Sequence, residues 1–112
     1  MTERTVARGQ FVRAVSLDEV PEMGAVHVDI DGRPIAIVRS KGRVYAIHDV
    51  CSHAQVALSE GEIEDGTIEC WLHGSRFDLR SGKPTGLPAT KPVPVYPVTI
   101  DGDDVFVAVQ ES

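Results

Sequence analysis

The sequence predicts an all-β domain of short antiparallel strands, either a sandwich or a small barrel. Two observations predict it. Apolar and polar residues alternate with period two along several segments, as they do in half-buried strands. Between these segments, turn-forming pairs that end in glycine recur at spacings typical of consecutive antiparallel strands: Asp31-Gly32, Lys41-Gly42, Asp65-Gly66, Ser81-Gly82 and Asp101-Gly102.

The clearest alternation sets Val26, Val28 and Ile30 against the polar residues His27 and Asp29. Similar patterns, taken in chain order, place strands near residues 10 to 15, 25 to 30, 34 to 39, 43 to 48, 62 to 64, 67 to 71, 77 to 80, 93 to 100 and 104 to 109. The period of two predicts that each strand is buried on one face only.

Two segments depart from the strand pattern. Ser16 and Glu19 are spaced as a capping box, which predicts a single helical turn. Five of the seven prolines lie between Pro84 and Pro97. Because proline cannot donate to a β-ladder, we expect the segment 84 to 92 to be a stiff loop.

Length and charge narrow the class of protein. At 112 residues, the chain fits a single domain, residues 1 to 112. Its net charge is −6, and the acidic stretch between Arg43 and Arg76 contains no Lys or Arg, so nucleic acid and anionic membranes are poor partners. Those acids form either a solvated face or a docking surface for a basic partner. No apolar run resembles a signal peptide or a membrane span, so we expect a cytoplasmic protein.

The two cysteines predict a metal centre. Cys51-x-His53 is followed, after sixteen residues, by Cys70-x-x-His73, and each pair comes at the end of a predicted strand. In a reducing compartment, thiols beside histidines indicate metal ligands more than a disulfide. Residues two apart in an extended loop project to the same side, and Gly74 favours a tight turn that brings Cys70 and His73 together. Four ligands can therefore meet between neighbouring hairpins.

Zinc is one alternative occupant, because it also binds two cysteines and two histidines. Zinc fingers of that composition usually continue into a helix after the second cysteine, whereas Phe77-Asp78-Leu79-Arg80 has the pattern of a strand. A structural zinc-binding module stays open as an alternative. The other two histidines, His27 and His48, are expected to be structural.

The paired motif strongly resembles the Rieske family over about residues 10 to 109. The residues that carry the resemblance are Cys51-x-His53, Cys70-x-x-His73, Gly74-Ser75-x-Phe77-Asp78, Gly82 and the proline-rich segment. The resemblance implies the Rieske fold, an antiparallel β-sandwich or small barrel. A cluster-binding subdomain, about residues 49 to 92, would carry two ligand loops and a proline loop.

The resemblance also implies one Rieske 2Fe-2S cluster. Cys51 and Cys70 would bind one iron, and His53 and His73 would bind the other. The neighbouring residues expected to surround the cluster are Gly74, Ser75, Phe77 and Pro88.

High-potential members of the family carry a disulfide at the positions of Val56 and Leu72, and a tyrosine at the position of Phe77. This chain keeps Ser75, which would donate one of two hydrogen bonds to the cluster, and lacks the second hydroxyl. The acidic surroundings disfavour reduction further. We therefore expect a potential toward the negative end of the Rieske range of about −150 to +300 mV.

The chain resembles stand-alone Rieske ferredoxins, which are electron carriers and not enzymes. The resemblance implies transfer of single electrons from an NAD(P)H-dependent flavoprotein reductase to a terminal non-heme iron oxygenase, by a monomer that meets both partners transiently. Trp71 and Leu72, between two ligands, would contact a redox partner or pack locally. Small Rieske proteins encoded near iron–sulfur assembly genes are also similar, so a role in iron–sulfur homeostasis or redox sensing is the alternative function.

Overall fold

The strands of the computed structural model, which describes residues 11–51, 56–64, 66–72, 74–85 and 91–108, form three antiparallel sheets. Their bounds are β1 Phe11–Ser16, β2 Gly24–Ile30, β3 Arg33–Ser40, β4 Arg43–His48, β5 Glu62–Glu64, β6 Thr67–Glu69, β7 Arg76–Asp78, β8 Val95–Tyr96, β9 Val98–Asp101 and β10 Asp104–Ala108. The first sheet has the order β1-β10-β9, the second β2-β3-β4-β8, and the third β5-β6-β7. The predicted all-β fold of antiparallel strands is confirmed.

Two tight hairpins organise the second sheet. Ile30 pairs with Arg33, so Asp31 and Gly32 form the turn between β2 and β3. Both turn residues have positive φ, 53° and 77°, which is the geometry of a type I′ turn and suits the twist of the strands. Lys41 and Gly42 repeat this turn between β3 and β4, with φ of 52° and 79°. The dipeptides that predicted these turns therefore set the register of three strands.

Strand β3 is buried on both faces, which corrects the expectation of half-buried strands. Ile35 and Ile37 belong to the buried cluster shared with the first sheet. Ala36 and Val38 belong to a second buried cluster, shared with the third sheet. The second sheet therefore lies between two cores, and the apolar run of β3 supplies both of them.

Some predicted bounds were wrong. The strand expected at 93 to 100 is divided into β8 and β9 at Pro97, whose nitrogen has no hydrogen to donate. Ser16 precedes a 3₁₀ helix at Leu17–Glu19 but makes no side-chain cap bond, and its hydroxyl accepts a hydrogen bond from Arg13. A second 3₁₀ helix, Leu58–Glu60, was not predicted. Within the described residues, no helix is long and apolar enough to span a membrane.

Candidate metal centre

Both cysteines lie in one core of the protein. Cys51 follows β4 and is 3% exposed, and Cys70 follows β6 and is fully buried. The two residues belong to the same buried cluster, which also contains Leu58 and Phe77, and neither forms a disulfide. Two buried thiols at the ends of strands from different sheets fit the donor set of a metal centre.

The first ligand loop, residues 51–56, and the second ligand loop, residues 70–75, are closed in the same way. The Cys51 N–H donates to the Val56 carbonyl at 2.9 Å, and the Cys70 N–H donates to the Ser75 carbonyl at 2.6 Å. Each bond joins residues five positions apart. The two cysteines therefore occupy equivalent places, each at the first position of a loop that the same backbone bond closes.

The second ligand loop connects two paired strands. Glu69, directly before Cys70, pairs with Arg76, directly after Ser75, and the ladder continues down β6 and β7. A further bond from the Gly74 N–H to the Cys70 carbonyl, at 2.9 Å, tightens the turn. Gly74 has a φ of 79°, which favours glycine, as its predicted role in a tight turn requires.

The first ligand loop is supported by side chains. The buried carboxylate of Asp49 accepts hydrogen bonds from the Ser59 N–H at 2.6 Å and from the Ser59 hydroxyl at 2.7 Å. His27 Nδ1 lies 2.6 Å from the same carboxylate. We call Asp49, Ser59 and His27 the Asp49 clamp. The hydrogen bond with Asp49 raises the pKa of His27, and the charges of Asp49 and Asp29 act in the same direction.

Two residues expected beside the metal are buried near the cysteines. Ser75 is fully buried at the end of the second ligand loop. Phe77 is also fully buried, in the cluster that contains both cysteines. Ser75 is therefore buried within the second ligand loop, and Phe77 is buried in the core that holds the two cysteines.

Three of the predicted site residues, His53, His73 and Pro88, lie outside the described residues, as do residues 86–90 of the proline-rich segment. The start of that segment is described. Pro84 forms a bridge with Phe77, and the Thr85 N–H donates to the Arg76 carbonyl at 2.8 Å. The proline-rich segment therefore begins directly against β7.

Trp71 and Leu72 are two large apolar residues exposed on the second ligand loop. Trp71 is 51% exposed and Leu72 is 42% exposed, although both are apolar and adjacent to a buried cysteine. Each side chain is therefore partly covered by its neighbours and partly open to solvent. Their exposed side chains leave an apolar surface on the second ligand loop.

Sequence reasoning missed the Asp49 clamp. His27 was expected to be structural, and the structure places it against Asp49. His48 donates its backbone N–H to Pro94, which fixes the segment that follows the proline-rich loop. Its Nδ1 is buried and has no hydrogen-bond partner in the described part of the chain. The only sequence signal for the clamp was an acidic residue next to a buried strand, close to Cys51.

The two buried thiols and the two loops closed by the same backbone bond characterise an antiparallel β-protein with a candidate metal centre. The family model of the Rieske [2Fe-2S] domain matches residues 10–97 of the chain. The chain therefore belongs to the Rieske [2Fe-2S] domain family. Membership implies a 2Fe-2S cluster, and the strand β7 after Cys70 also separates this site from a zinc finger.

Several ferredoxins are similar to this chain over most of its length. The 3-phenylpropionate/cinnamic acid dioxygenase ferredoxin subunit of Escherichia coli K12 is 41% identical over 102 residues, which cover 90% of this chain and 95% of the relative. The ferredoxin of carbazole 1,9a-dioxygenase from Nocardioides aromaticivorans IC177 is 40% identical, with a TM-score of 0.85 over 89% of this chain and 98% of that chain. A ferredoxin solved in complex with the oxygenase of carbazole 1,9a-dioxygenase is 29% identical, with a TM-score of 0.84 over 91% of this chain and 95% of that one.

Proposed function

We propose that the chain is a one-electron carrier with one Rieske 2Fe-2S cluster, an electron-transfer component and not an enzyme. It passes electrons from an NAD(P)H-dependent flavoprotein reductase to a terminal non-heme iron oxygenase. The observation that carries the proposal is the pair of equivalent loops with buried cysteines, in a chain whose relatives are ferredoxin subunits of dioxygenases.

Cys51 and Cys70 would hold one iron, and His53 and His73 the other. The equivalent closure of the two loops supports this assignment, since each loop then contributes one sulfur and one imidazole. A Rieske cluster takes up and releases a single electron. The protein's part is to bury the thiolates, whose low exposure keeps water from the sulfur side of the site.

Trp71 and Leu72 would form the contact with both partners. They lie on the second ligand loop next to His73, so a partner that covers them comes close to the proposed iron ligand. The acidic residues Glu60, Glu62 and Glu64 are exposed on neighbouring segments, which suits a partner with a basic rim. A small apolar contact with an acidic surround is typical of transient electron-transfer complexes.

The partner preferences follow from the same features. The net charge of −6 disfavours nucleic acid and anionic membranes. The carbazole dioxygenase ferredoxin that was solved with its oxygenase supports an oxygenase as the electron acceptor. The reductase, a monomeric state and the cytoplasmic location stay predictions. No observation in the structure favours iron–sulfur homeostasis or redox sensing over electron transfer to an oxygenase.

Two measurements test this function. An EPR spectrum of the dithionite-reduced protein, with iron, sulfide and zinc analysis, should give a Rieske-type signal with two irons and two sulfides per chain. A colourless, EPR-silent protein with one zinc would refute the electron carrier. Stopped-flow absorbance should then show reduction by a flavoprotein reductase of a related dioxygenase system and reoxidation by its terminal oxygenase. Trp71→Ala should slow both steps while the EPR signal persists.

A further inference from the structure

The Asp49 clamp joins the two ends of the first ligand loop. Asp49 precedes Cys51 by two residues, and Ser59 follows Val56 by three. The carboxylate accepts both polar hydrogens of Ser59, so it connects the chain that enters the loop to the chain that leaves it. Along the chain, Asp49 and Ser59 flank the two residues that the backbone bond from Cys51 to Val56 joins.

The burial of Asp49 gives this connection its strength. A buried carboxylate is unfavourable unless hydrogen bonds and a basic partner compensate it. Here Ser59 donates twice and His27 supplies the basic partner. Hydrogen bonds to an ionised acceptor are about twice as strong as bonds between neutral groups. The carboxylate is therefore confined to one position, and it confines Ser59 in turn.

Within the described residues, no pair of strands joins the two ends of the first ligand loop as β6 and β7 join those of the second. Strand β4 ends at His48, and the chain returns through the 3₁₀ helix Leu58–Glu60, which cannot pair with a strand. Val56 and Leu72 stand where high-potential Rieske proteins carry a disulfide between the loops, so this covalent support is also missing. Beside the backbone bond from Cys51 to Val56, the side chains of the Asp49 clamp hold the two ends of the loop together.

We propose that Asp49 is a positioning residue for the metal centre. Through Ser59 it keeps the first ligand loop closed around Cys51, and it thereby retains the cluster and fixes the geometry of its ligands. His27 holds the carboxylate in the orientation that Ser59 needs. The inference rests on the proposed function, because it takes Cys51 as a ligand of the cluster.

The test uses cluster-loaded protein and follows visible absorbance in excess EDTA. Asp49→Ala should lose the cluster at least about tenfold faster than the wild type, because it removes all three contacts of the clamp. Ser59→Ala removes one bond and should accelerate loss about threefold. Asp49→Asn should restore most of the lifetime, since its amide can accept from the Ser59 N–H and donate to the hydroxyl.

Asp29→Ala is the matched control. Asp29 contacts the other ring nitrogen of His27 at 3.3 Å and does not touch Ser59, so its removal should leave the cluster lifetime within about twofold of the wild type. EPR separates positioning from general stability. Asp49→Ala and Ser59→Ala should shift or broaden the g values of the reduced cluster, whereas Asp29→Ala and Asp49→Asn should keep their pattern.

Two outcomes overturn the proposal. Wild-type lifetime and g values in Ser59→Ala and Asp49→Ala would mean that the clamp does not act on the metal centre. If Ser59→Ala lowers the unfolding temperature but leaves the cluster lifetime and the EPR signal unchanged, the clamp is merely structural. This conclusion does not require Asp49→Ala to fold. A wild-type protein without a Rieske signal would instead refute the ligand assignment, and this inference with it.

Discussion

The second ligand loop connects the paired strands β6 and β7, whereas the first connects β4 to a 3₁₀ helix. Both loops are closed by the same backbone bond from a cysteine N–H, at 2.6 Å in the second and 2.9 Å in the first. Below that bond, backbone pairs such as Glu69 with Arg76 support the second loop, and the side chains of the Asp49 clamp support the first. Similar loops can thus differ in their sensitivity to substitution, because a ladder spreads its support over many bonds and a clamp concentrates it in a few side chains.

The largest expected effect, loss of the cluster, should be the same for a ligand variant in either loop. His53→Ala and His73→Ala each delete a proposed iron ligand, one from each loop, so both should abolish the cluster. Iron and sulfide analysis with EPR of the reduced protein checks this result. Trp71→Ala, an exposed neighbour in the same loop, is the control and should retain the signal. A native Rieske spectrum in His73→Ala would remove His73 from the ligand set.

Gly61→Ala should disturb both loops at once. A Cβ at Gly61 would lie 1.6 Å from the carbonyl oxygen of Glu69, the residue before Cys70. Because a backbone atom cannot yield easily, the free energy of unfolding should fall by about 3 kcal/mol in urea titrations. In Gly42→Ala the new Cβ would meet no atom within 4 Å, but the φ of 79° disfavours alanine. This variant should therefore lower the free energy of unfolding by only about 1 kcal/mol. Equal losses in the two variants would contradict the close approach at Gly61.

Local signals in the sequence predicted most of the strands. Asp31-Gly32 and Lys41-Gly42 predicted their hairpins because a type I′ turn depends on two adjacent residues. Pro97 could also have been used, since a proline inside a predicted strand indicates an interruption. The unbroken apolar run at residues 35–38 could have indicated that β3 is buried on both faces. It could not indicate what covers Ala36 and Val38, because that sheet follows much later in the chain.

The same reasoning explains the outcome for the site. Cys51 and Cys70 were recognisable as candidate ligands because each lies two or three residues from a histidine. The Asp49 clamp was not recognisable, because Asp49 meets Ser59 ten residues away and His27 twenty-two residues away. Side-chain contacts at such separations depend on how the sheets pack, which local patterns do not encode.

Phe77→Tyr tests how close the core of the second loop comes to the metal. Phe77 is fully buried in the cluster that contains both cysteines. A new hydroxyl that donates to a ligand sulfur would favour the reduced state by about 1 kcal/mol and raise the midpoint potential by roughly 40 mV. Protein-film voltammetry measures this shift, with Phe106→Tyr in the first sheet as the control. An unchanged potential would mean that the hydroxyl does not reach the sulfur.

The midpoint potential of the wild type tests whether a missing hydroxyl and nearby acidic residues lower the potential. The chain lacks the tyrosine hydroxyl and carries acidic residues near the site, so its potential should lie toward the negative end of about −150 to +300 mV. Voltammetry at low and high salt separates the two causes, because salt screens the exposed acids and not a buried hydrogen bond. A wild-type potential above about +100 mV would contradict both causes.

Arg76→Ala should sharpen the contrast between the loops. Arg76 Nη2 lies 2.9 Å from Glu64 and 3.0 Å from Glu69, at the foot of the second ligand loop. These pairs are partly exposed and the ladder remains without them, so the free energy of unfolding should fall by less than about 1 kcal/mol. Cluster lifetime in EDTA should stay within about twofold of the wild type, unlike that of Asp49→Ala. Rapid loss would show that the second loop also depends on side chains.

The smallest expected effect is a pH dependence of stability through His27. The hydrogen bond with Asp49 raises the pKa of His27 above 6.5, so the folded protein binds this proton more tightly than the unfolded chain. The stabilisation is complete below pH 6.5 and is lost as the pH rises through the raised pKa. The effect is modest because the His27 side chain is 45% exposed and solvent screens its charge. Urea titrations between pH 6 and 9 should show the decline in the wild type and a flatter profile in His27→Gln, whose amide can still donate to Asp49 but cannot take up a proton. An equal decline of stability in both proteins would mean that the titrating group is not His27. The charge of His27 would then contribute nothing to the support of the first ligand loop between pH 6 and 9.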